Sequence, residues 1–191
     1  DNWPMTNTVP RALRYAPTFA GLVGRDLTPG RLLTDYTSTS GMTGTVVLTN
    51  ISTRVQLGGA AGTPIAGFVL AGTGSRPMLV RAIGPGLALL GLTSGGLADP
   101  GLALIRMSNN TVVASNDNWL AADTATMAAA GAFALAAGSR DAALVSTLTP
   151  GNYTMPVTGP GSGIALLEVY DAATSAASTT TFANASTRGF V

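Results

Sequence analysis

Short β-prone runs, each closed by glycine, proline, asparagine or serine, recur along most of the chain after residue 43. Runs of this kind at this spacing are typical of an all-β sandwich. We therefore predict an antiparallel β-sandwich, jelly-roll-like, with N- and C-terminal extensions. The predicted strands lie near residues 44–49, 65–71, 77–83, 102–107, 111–115, 142–147, 152–158 and 163–170.

Residues 121–137 depart from the β pattern. The stretch AADTATMAAAGAFALAA is rich in alanine, the best helix former, and Asp123 could cap a turn or two before Gly131 weakens the helix. We predict a short helix or a coil that crosses one end of the sandwich, with Met127, Phe133 and Leu135 packed in the core.

The core of the sandwich is predicted from the inward positions of these strands, since alternate residues of a half-buried strand face the interior. The predicted core positions are Phe68, Leu70, Leu79, Val80, Leu102, Leu104, Val113, Leu144, Tyr153, Leu166 and Val169.

Short sequences that occur twice in the chain suggest a repeat organisation. Residues 50–54 (NISTR) match residues 184–188 (NASTR) at a shift of 134 residues, and residues 1–3 (DNW) match residues 117–119. Repeated units of this kind rely on their neighbours for burial. We predict an N-terminal extension over 1–49 that resembles a divergent half-module, one sandwich module over 50–177, and a strand-like tail over 178–191.

Composition excludes several partners. Only 10% of the residues are charged, against about 25% in an ordinary soluble domain, which favours burial against neighbouring subunits. The ten basic residues are all arginine, they are scattered, and the formal net charge is +1, so we expect no nucleic-acid partner. The apolar runs are interrupted or too short for a membrane span, which needs about 20 residues.

The chain has no histidine, cysteine or lysine. Thiol and imidazole chemistry and a Ser–Lys pair are therefore absent, and no pair of carboxylates suggests general acid–base catalysis. We expect neither enzyme activity nor a cofactor. Glu168, the one glutamate, is predicted to pair with Arg81 or Arg106. Within SNDNW, Asp117 is a weak calcium candidate, because calcium needs six to eight oxygen ligands and this cluster has one carboxylate.

Two further stretches have local interpretations. The IGPG sequence at residues 83–86 predicts a corner, because proline removes a hydrogen-bond donor and glycines allow a tight bend. Residues 174–187, rich in serine and threonine, could form a solvated linker, a strand or a glycan-bearing segment. Glycans are a further candidate partner at the N-x-S/T asparagines Asn50, Asn109, Asn152 and Asn184.

The stretch from GFVLAGTGSRPMLVRAIGPG through NDNW and LTPGNY to EVYD resembles a β-sandwich module that is repeated in large exported bacterial surface proteins. It is also distantly similar to the pre-peptidase C-terminal type domain. The resemblance covers about residues 60–171 and implies an extracellular, non-catalytic module. Arg106, Met107 and the Asn109–Asn110 turn depart from the acidic, glycine-containing turn of that family, which argues against a calcium site there.

Two functions remain. The first is a self-assembling structural protein, a subunit of a filament or surface array whose copies join by β-strand addition. The second is a carbohydrate-binding or adhesive module of a larger secreted protein. For the first, we predict that residues 179–191 pair as a strand with a neighbouring copy; the alternatives are a tail folded back on its own domain or a disordered linker. The predicted assembly residues are Phe182, Asn184, Arg188, Phe190 and Val191.

Overall fold

Nine strands form two sheets in the computed structural model, which describes residues 48–58, 62–173 and 179–189. The four-stranded sheet has the order β1 (Asn50–Leu57), β8 (Gly163–Asp171), β3 (Arg76–Ile83), β6 (Ala142–Leu148). The five-stranded sheet has the order β5 (Thr111–Asn116), β4 (Gly101–Arg106), β7 (Gly151–Thr158), β2 (Ile65–Ala71), β9 (Thr181–Arg188). All these neighbouring strands are antiparallel, so the predicted all-β sandwich is confirmed.

The first strand begins later than the sequence suggested. We expected it near residues 44–49, but β1 starts at Asn50, and Leu48 and Thr49 precede it outside any strand. The rest of the predicted run, and almost all of the predicted half-module, lie outside the described residues. The NISTR phrase itself forms the first part of β1, because its alternation lets Ile51 face inward while its neighbours face solvent.

The main core lies between the two sheets. Most of the predicted core residues are buried, although Leu79 and Leu166 belong to a second core on the outer face of the four-stranded sheet. Phe133 is only half-buried, and Val113 is 41% exposed. The prediction for Val113 was wrong because β5 is an edge strand with a register irregularity opposite Leu104 and Ile105, which leaves Val112 and Val113 both facing solvent. Ala114 packs against the core in their place.

A second core covers the outer face of the four-stranded sheet. The segments that form this core include a 3-10 turn (Pro85–Leu90) and the short helix α1 (Thr124–Ala129). Met127 and Leu135 are buried in it. The predicted helix is therefore present, with Asp123 at its N-cap position but without a side-chain capping hydrogen bond. Because this sheet is covered on both faces, β3 and β8 are buried along almost their whole length.

The edge strands β1 and β9 lie on the same side of the sandwich. A Cβ placed on Gly189, just after β9, would lie 2.7 Å from Cγ1 of Val55 in β1. On the opposite side, the side-chain oxygen of Asn116 in β5 accepts a hydrogen bond from the Ala143 backbone N–H in β6 at 3.0 Å. Each sheet therefore has one edge on each side of the molecule.

Candidate assembly site

Strand β9 completes the five-stranded sheet by pairing with β2 of its own chain. The register runs from Ile65 opposite Arg188 to Ala71 opposite Thr181, with an irregularity between Val69 and Leu70. In the single chain this segment therefore stays with its own domain, and its pairing with a neighbouring copy stays a prediction. The structure has the alternative, in which the tail folds back, because the free edge of β2 offers backbone partners close by.

One large side chain anchors β9 in the core. Phe182 is 3% exposed, and its ring meets the Phe68 ring edge-on with the centroids 6.0 Å apart. Phe68 in turn stacks on Tyr153 at 5.3 Å. Ala185 packs against the same core but is only half-buried. All other residues of β9 are exposed, so the strand contributes few apolar contacts besides Phe182.

A polar clamp holds the chain just before β9. Thr180 is fully buried, and its hydroxyl donates to the Thr73 carbonyl at 2.7 Å. The Thr179 hydroxyl donates to the same carbonyl at 2.6 Å. Arg76 donates from Nη1 to the Thr180 carbonyl at 2.5 Å. The loop after β2 therefore recognises the backbone and hydroxyls of two consecutive threonines.

Gly72 is required by this clamp for two reasons. Its φ is +114°, a backbone conformation that L side chains rarely adopt. A Cβ at this position would also lie only 2.0 Å from the Thr179 carbonyl oxygen. Any side chain would therefore displace the incoming strand.

An ion pair orients the arginine of the clamp. Arg76 Nε lies 2.8 Å from Asp171 Oδ1, and Nη2 lies 2.5 Å from Oδ2, so the two planar groups meet in a two-pronged contact. Both side chains are largely buried. Asp171 also accepts a hydrogen bond from the Ala173 backbone N–H at 3.0 Å, which caps the turn at the end of β8.

The predicted assembly residues have different environments. Phe182 is buried, whereas Asn184 and Arg188 are exposed on the β9 strand. Phe190 and Val191 lie outside the described residues. The clamp was not predicted, although the glycine, threonine and arginine of AGTGSRP that form it are visible in the sequence.

Glu168 pairs with Arg81, the first of its two predicted partners. Arg81 is fully buried in the second core, its Nε donates to Glu168 Oε2 at 2.8 Å, and Nη2 lies 2.6 Å from the same oxygen. Arg81 also donates to the Phe133 carbonyl at 2.7 Å and lies over the Phe133 ring. Arg106 instead donates to Thr149 and Tyr153 beside the LTPGNY turn.

Tyr170 and Ser52 complete this buried network. Both hydroxyls donate to Glu168 Oε1, at 2.8 Å from Tyr170 and 3.3 Å from Ser52. Burial, followed by the neighbouring Glu168 carboxylate, raises the pKa of Tyr170 to about 12. Arg81 and Glu168 depend on each other, because removing either side chain would leave the other as an uncompensated buried charge.

Asp141 is a second buried carboxylate, which the sequence did not single out. Its Oδ1 accepts backbone hydrogen bonds from Gly84 at 2.8 Å and Gly86 at 3.0 Å, and Oδ2 accepts one from the Ser139 hydroxyl at 2.8 Å. The predicted IGPG corner is therefore held by a carboxylate from the start of β6. Proximity in space, rather than any local motif, brings these residues together.

The weak calcium candidate Asp117 is exposed just after β5. In the part of the chain that the structure describes, no three carboxylate, histidine or cysteine side chains come together as a metal site. Burial raises the pKa of Asp123, which lies further along the same connection. The four N-x-S/T asparagines are all exposed.

No protein-family model matches the chain, and no curated protein is significantly similar to it. Over the described ranges, no helix is both long enough and apolar enough to cross a membrane.

Proposed function

We propose that this protein is a non-catalytic structural subunit, placed outside the cell or at its surface, whose copies join into a filament or surface array by β-strand addition. The exchanged element is β9, which takes the same place on β2 of another copy. The observation that carries the proposal is the β9 contact itself: an edge strand held by one buried phenylalanine and one polar clamp, with its other side chains exposed apart from the half-buried Ala185.

The energetics allow such an exchange. Burial of Phe182 stabilises the docked strand by about 1.5–3 kcal/mol, and each backbone hydrogen bond adds roughly 0.5–1.5 kcal/mol. Ordering the strand costs about 1–2 kcal/mol per residue. The favourable and unfavourable contributions to docking are thus of similar size within one chain, and a strand from a second copy makes identical contacts. Domain swapping is a low-cost route to assembly for this reason.

Composition and resemblance support the same conclusion. A chain with 10% charged residues gains from covering its surface with copies of itself. The similarity of residues 60–171 to repeated modules of exported bacterial surface proteins supports an extracellular, non-catalytic role.

The aromatic residues argue against the carbohydrate-binding alternative. Sugar-binding surfaces of that kind present exposed aromatic rings, but Phe68, Tyr153, Tyr170 and Phe182 are buried, and Trp119 and Phe133 are half-buried. These are all the aromatic residues in the described ranges, and none of them offers an exposed platform.

Engineered cysteines test the exchange directly, because the chain has none of its own. Gly67 and Ser186 are cross-strand neighbours, and a Cβ on Gly67 would lie 3.2 Å from the Ser186 side-chain oxygen, close to disulfide geometry. We expect a mixture of Gly67→Cys chains and Ser186→Cys chains to form a covalent heterodimer under mild oxidation.

Two controls define the outcome. The double variant Gly67→Cys/Ser186→Cys, kept dilute, should close within one chain and prove that the pair can bond. A mixture of Gly67→Cys with Ser108→Cys, which places a thiol on an exposed turn, gives the background from random collision. If the Gly67 and Ser186 mixture gives no more heterodimer than this background while the double variant closes, β9 is not exchanged.

A further inference from the structure

The exposed charges that lack an ion-pair partner within the described residues are segregated. Three ion pairs join Arg76 to Asp171, Arg81 to Glu168 and Arg140 to Asp99. Outside these pairs, the exposed arginines of the described strands are Arg54 in β1 and Arg188 in β9, on one side of the sandwich. The exposed Asp117 follows β5 on the opposite side.

Strand β5 is an edge with little protection besides its one register irregularity. It contains no charged residue and no proline, and Val112 and Val113 are 56% and 41% exposed. Natural proteins usually protect such an edge with lysine, proline or a covering loop. The opposite edge strand, β6, is covered where it begins. The Asn116 side chain accepts a hydrogen bond from the Ala143 backbone N–H, and the Trp119 backbone N–H donates one to the Asp141 carbonyl.

The two edge strands of the five-stranded sheet, β5 and β9, run in the same chain direction. Four successive antiparallel pairings separate β9 from β5, so the two strands are parallel to each other. A second copy, rotated so that it continues the twist of the sheet, can therefore place its β5 beside β9 as a parallel strand.

The register also brings opposite charges to the same level. Arg188 pairs with a residue of β2 that in turn pairs with Pro156 of β7. Asn116 pairs with a residue of β4 that in turn pairs with Val157, the next residue of β7. Asp117 follows Asn116 directly. In a side-by-side pair of copies, Arg188 of one copy thus lies within one or two residue levels of Asp117 of the other, which is within reach of an arginine side chain.

We infer that β5 of one copy pairs in parallel with the free edge of β9 of a second copy, with Arg188 against Asp117 of that copy. This contact is separate from strand exchange, because the outer edge of β9 is the same whichever chain supplies the strand. It covers Val112 and Val113 and joins the five-stranded sheets of neighbouring copies edge to edge. The contact is head-to-tail, so it extends without closing.

Charge reversal in the full-length chain tests this contact. We expect Arg188→Asp and Asp117→Arg each to weaken association about tenfold, because like charges then face each other, and the charge-swapped double variant Arg188→Asp/Asp117→Arg to regain most of the loss. Sedimentation velocity over a concentration series measures the effect. Arg54→Asp is the matched control, since it changes an exposed arginine of the same sequence phrase in a strand that does not face β5.

A second variant does not depend on charge pairing. Val112→Lys places a charge on the free edge of β5 and should also suppress association, while thermal unfolding of the variant stays close to that of the unaltered chain because Val112 is exposed. Association that is unchanged in Val112→Lys, or a charge-swapped variant no better than its single parents, overturns the inference.

The exchange assay separates this contact from the proposed function. Arg188→Asp introduced into both cysteine variants should leave the Gly67–Ser186 heterodimer intact while large assemblies disappear, which supports two distinct contacts. Loss of the heterodimer together with the assemblies shows instead that no separate lateral contact exists. Assemblies that form in the parent cysteine variants, which keep Arg188, without any heterodimer retain this inference and refute strand exchange.

Discussion

Strands β1 and β9 carry the same N-x-S-T-R phrase, lie at the same side of the sandwich, and differ in how firmly they are held. In both, the asparagine, serine and arginine are exposed and the residue between asparagine and serine is half-buried. After the phrase, β1 continues into the buried Val55 and Leu57, whereas β9 is followed by the exposed Gly189. The comparison shows that the phrase itself makes an edge strand and that its flanking residues decide how tightly the strand is attached.

The sheets they join differ as well. β1 pairs along its whole length with β8, which is buried on both faces and carries Glu168 opposite Ser52. β9 pairs with β2, whose outward residues are half-buried or exposed. We therefore expect β1 to unfold only with the whole domain and β9 to detach separately. Four predictions test this difference.

The largest effect is expected beneath β1. Glu168→Ala leaves the fully buried Arg81 without its counter-charge and should lower the free energy of unfolding by about 3–5 kcal/mol. Asp99→Ala, which breaks the exposed pair with Arg140, should cost only about 0–1 kcal/mol. Urea denaturation measures both. A cost for Glu168→Ala no larger than that for Asp99→Ala would show that the buried pair does not support the β1 sheet.

The next prediction compares one buried anchor from each strand. Leu57→Ala in β1 should lower the free energy of global unfolding by about 2–5 kcal/mol. Phe182→Ala removes about 3–5 kcal/mol from the docking of β9. Because β9 can detach alone, most of this loss should appear as faster hydrogen exchange confined to β9 and its partner β2, with a smaller change in global unfolding. If β9 amides exchange only through global unfolding in both variants, the two strands are equally firmly held.

The clamp before β9 gives a smaller, position-specific effect. Gly72→Ala meets both an unfavourable φ and the Thr179 carbonyl, so it should weaken β9 docking by about 2–3 kcal/mol. Gly74→Ala has a similar positive φ of +92°, but its nearest atom would be the Thr180 hydroxyl at an ordinary contact distance of 3.9 Å, so it should cost about 1 kcal/mol. Amide exchange of β9 in the two variants distinguishes them, and equal costs would show that the close approach of Thr179 is unimportant.

The smallest effect separates the serines of the shared phrase. Ser52→Ala removes a hydrogen bond to Glu168 and should cost about 1 kcal/mol. Ser186→Ala, at the matching exposed position in β9, should change stability by less than about 0.5 kcal/mol. Thermal unfolding of the two variants measures both losses of stability. A larger loss for Ser186→Ala than for Ser52→Ala would show that the serine of β9, and not that of β1, supports the fold.

Much of the fold could be predicted because local patterns reflect local physics. Ile65–Ala71 is predicted to the residue, since alternating apolar positions closed by glycine leave few alternatives to a strand. Val113 could not be predicted correctly, because its exposure results from a register irregularity against β4 that the sequence does not mark. The candidate site was predicted in part: Phe182 was identified, but the Gly72–Thr73–Arg76 clamp joins residues more than 100 positions from their partners.

The sequence by itself determined the all-β class, the short helix before Gly131, the absence of imidazole, thiol and amine side chains, and the pairing of Glu168 with one of two arginines. Only the tertiary structure decided which arginine that was, that Asp141 holds the IGPG corner, and that β9 lies on β2 of its own chain. Strand formation depends on neighbours along the chain, so the sequence encodes it locally. The identity of a strand's partner depends on which free edge lies within reach once the two sheets have packed, and that is a property of the folded chain.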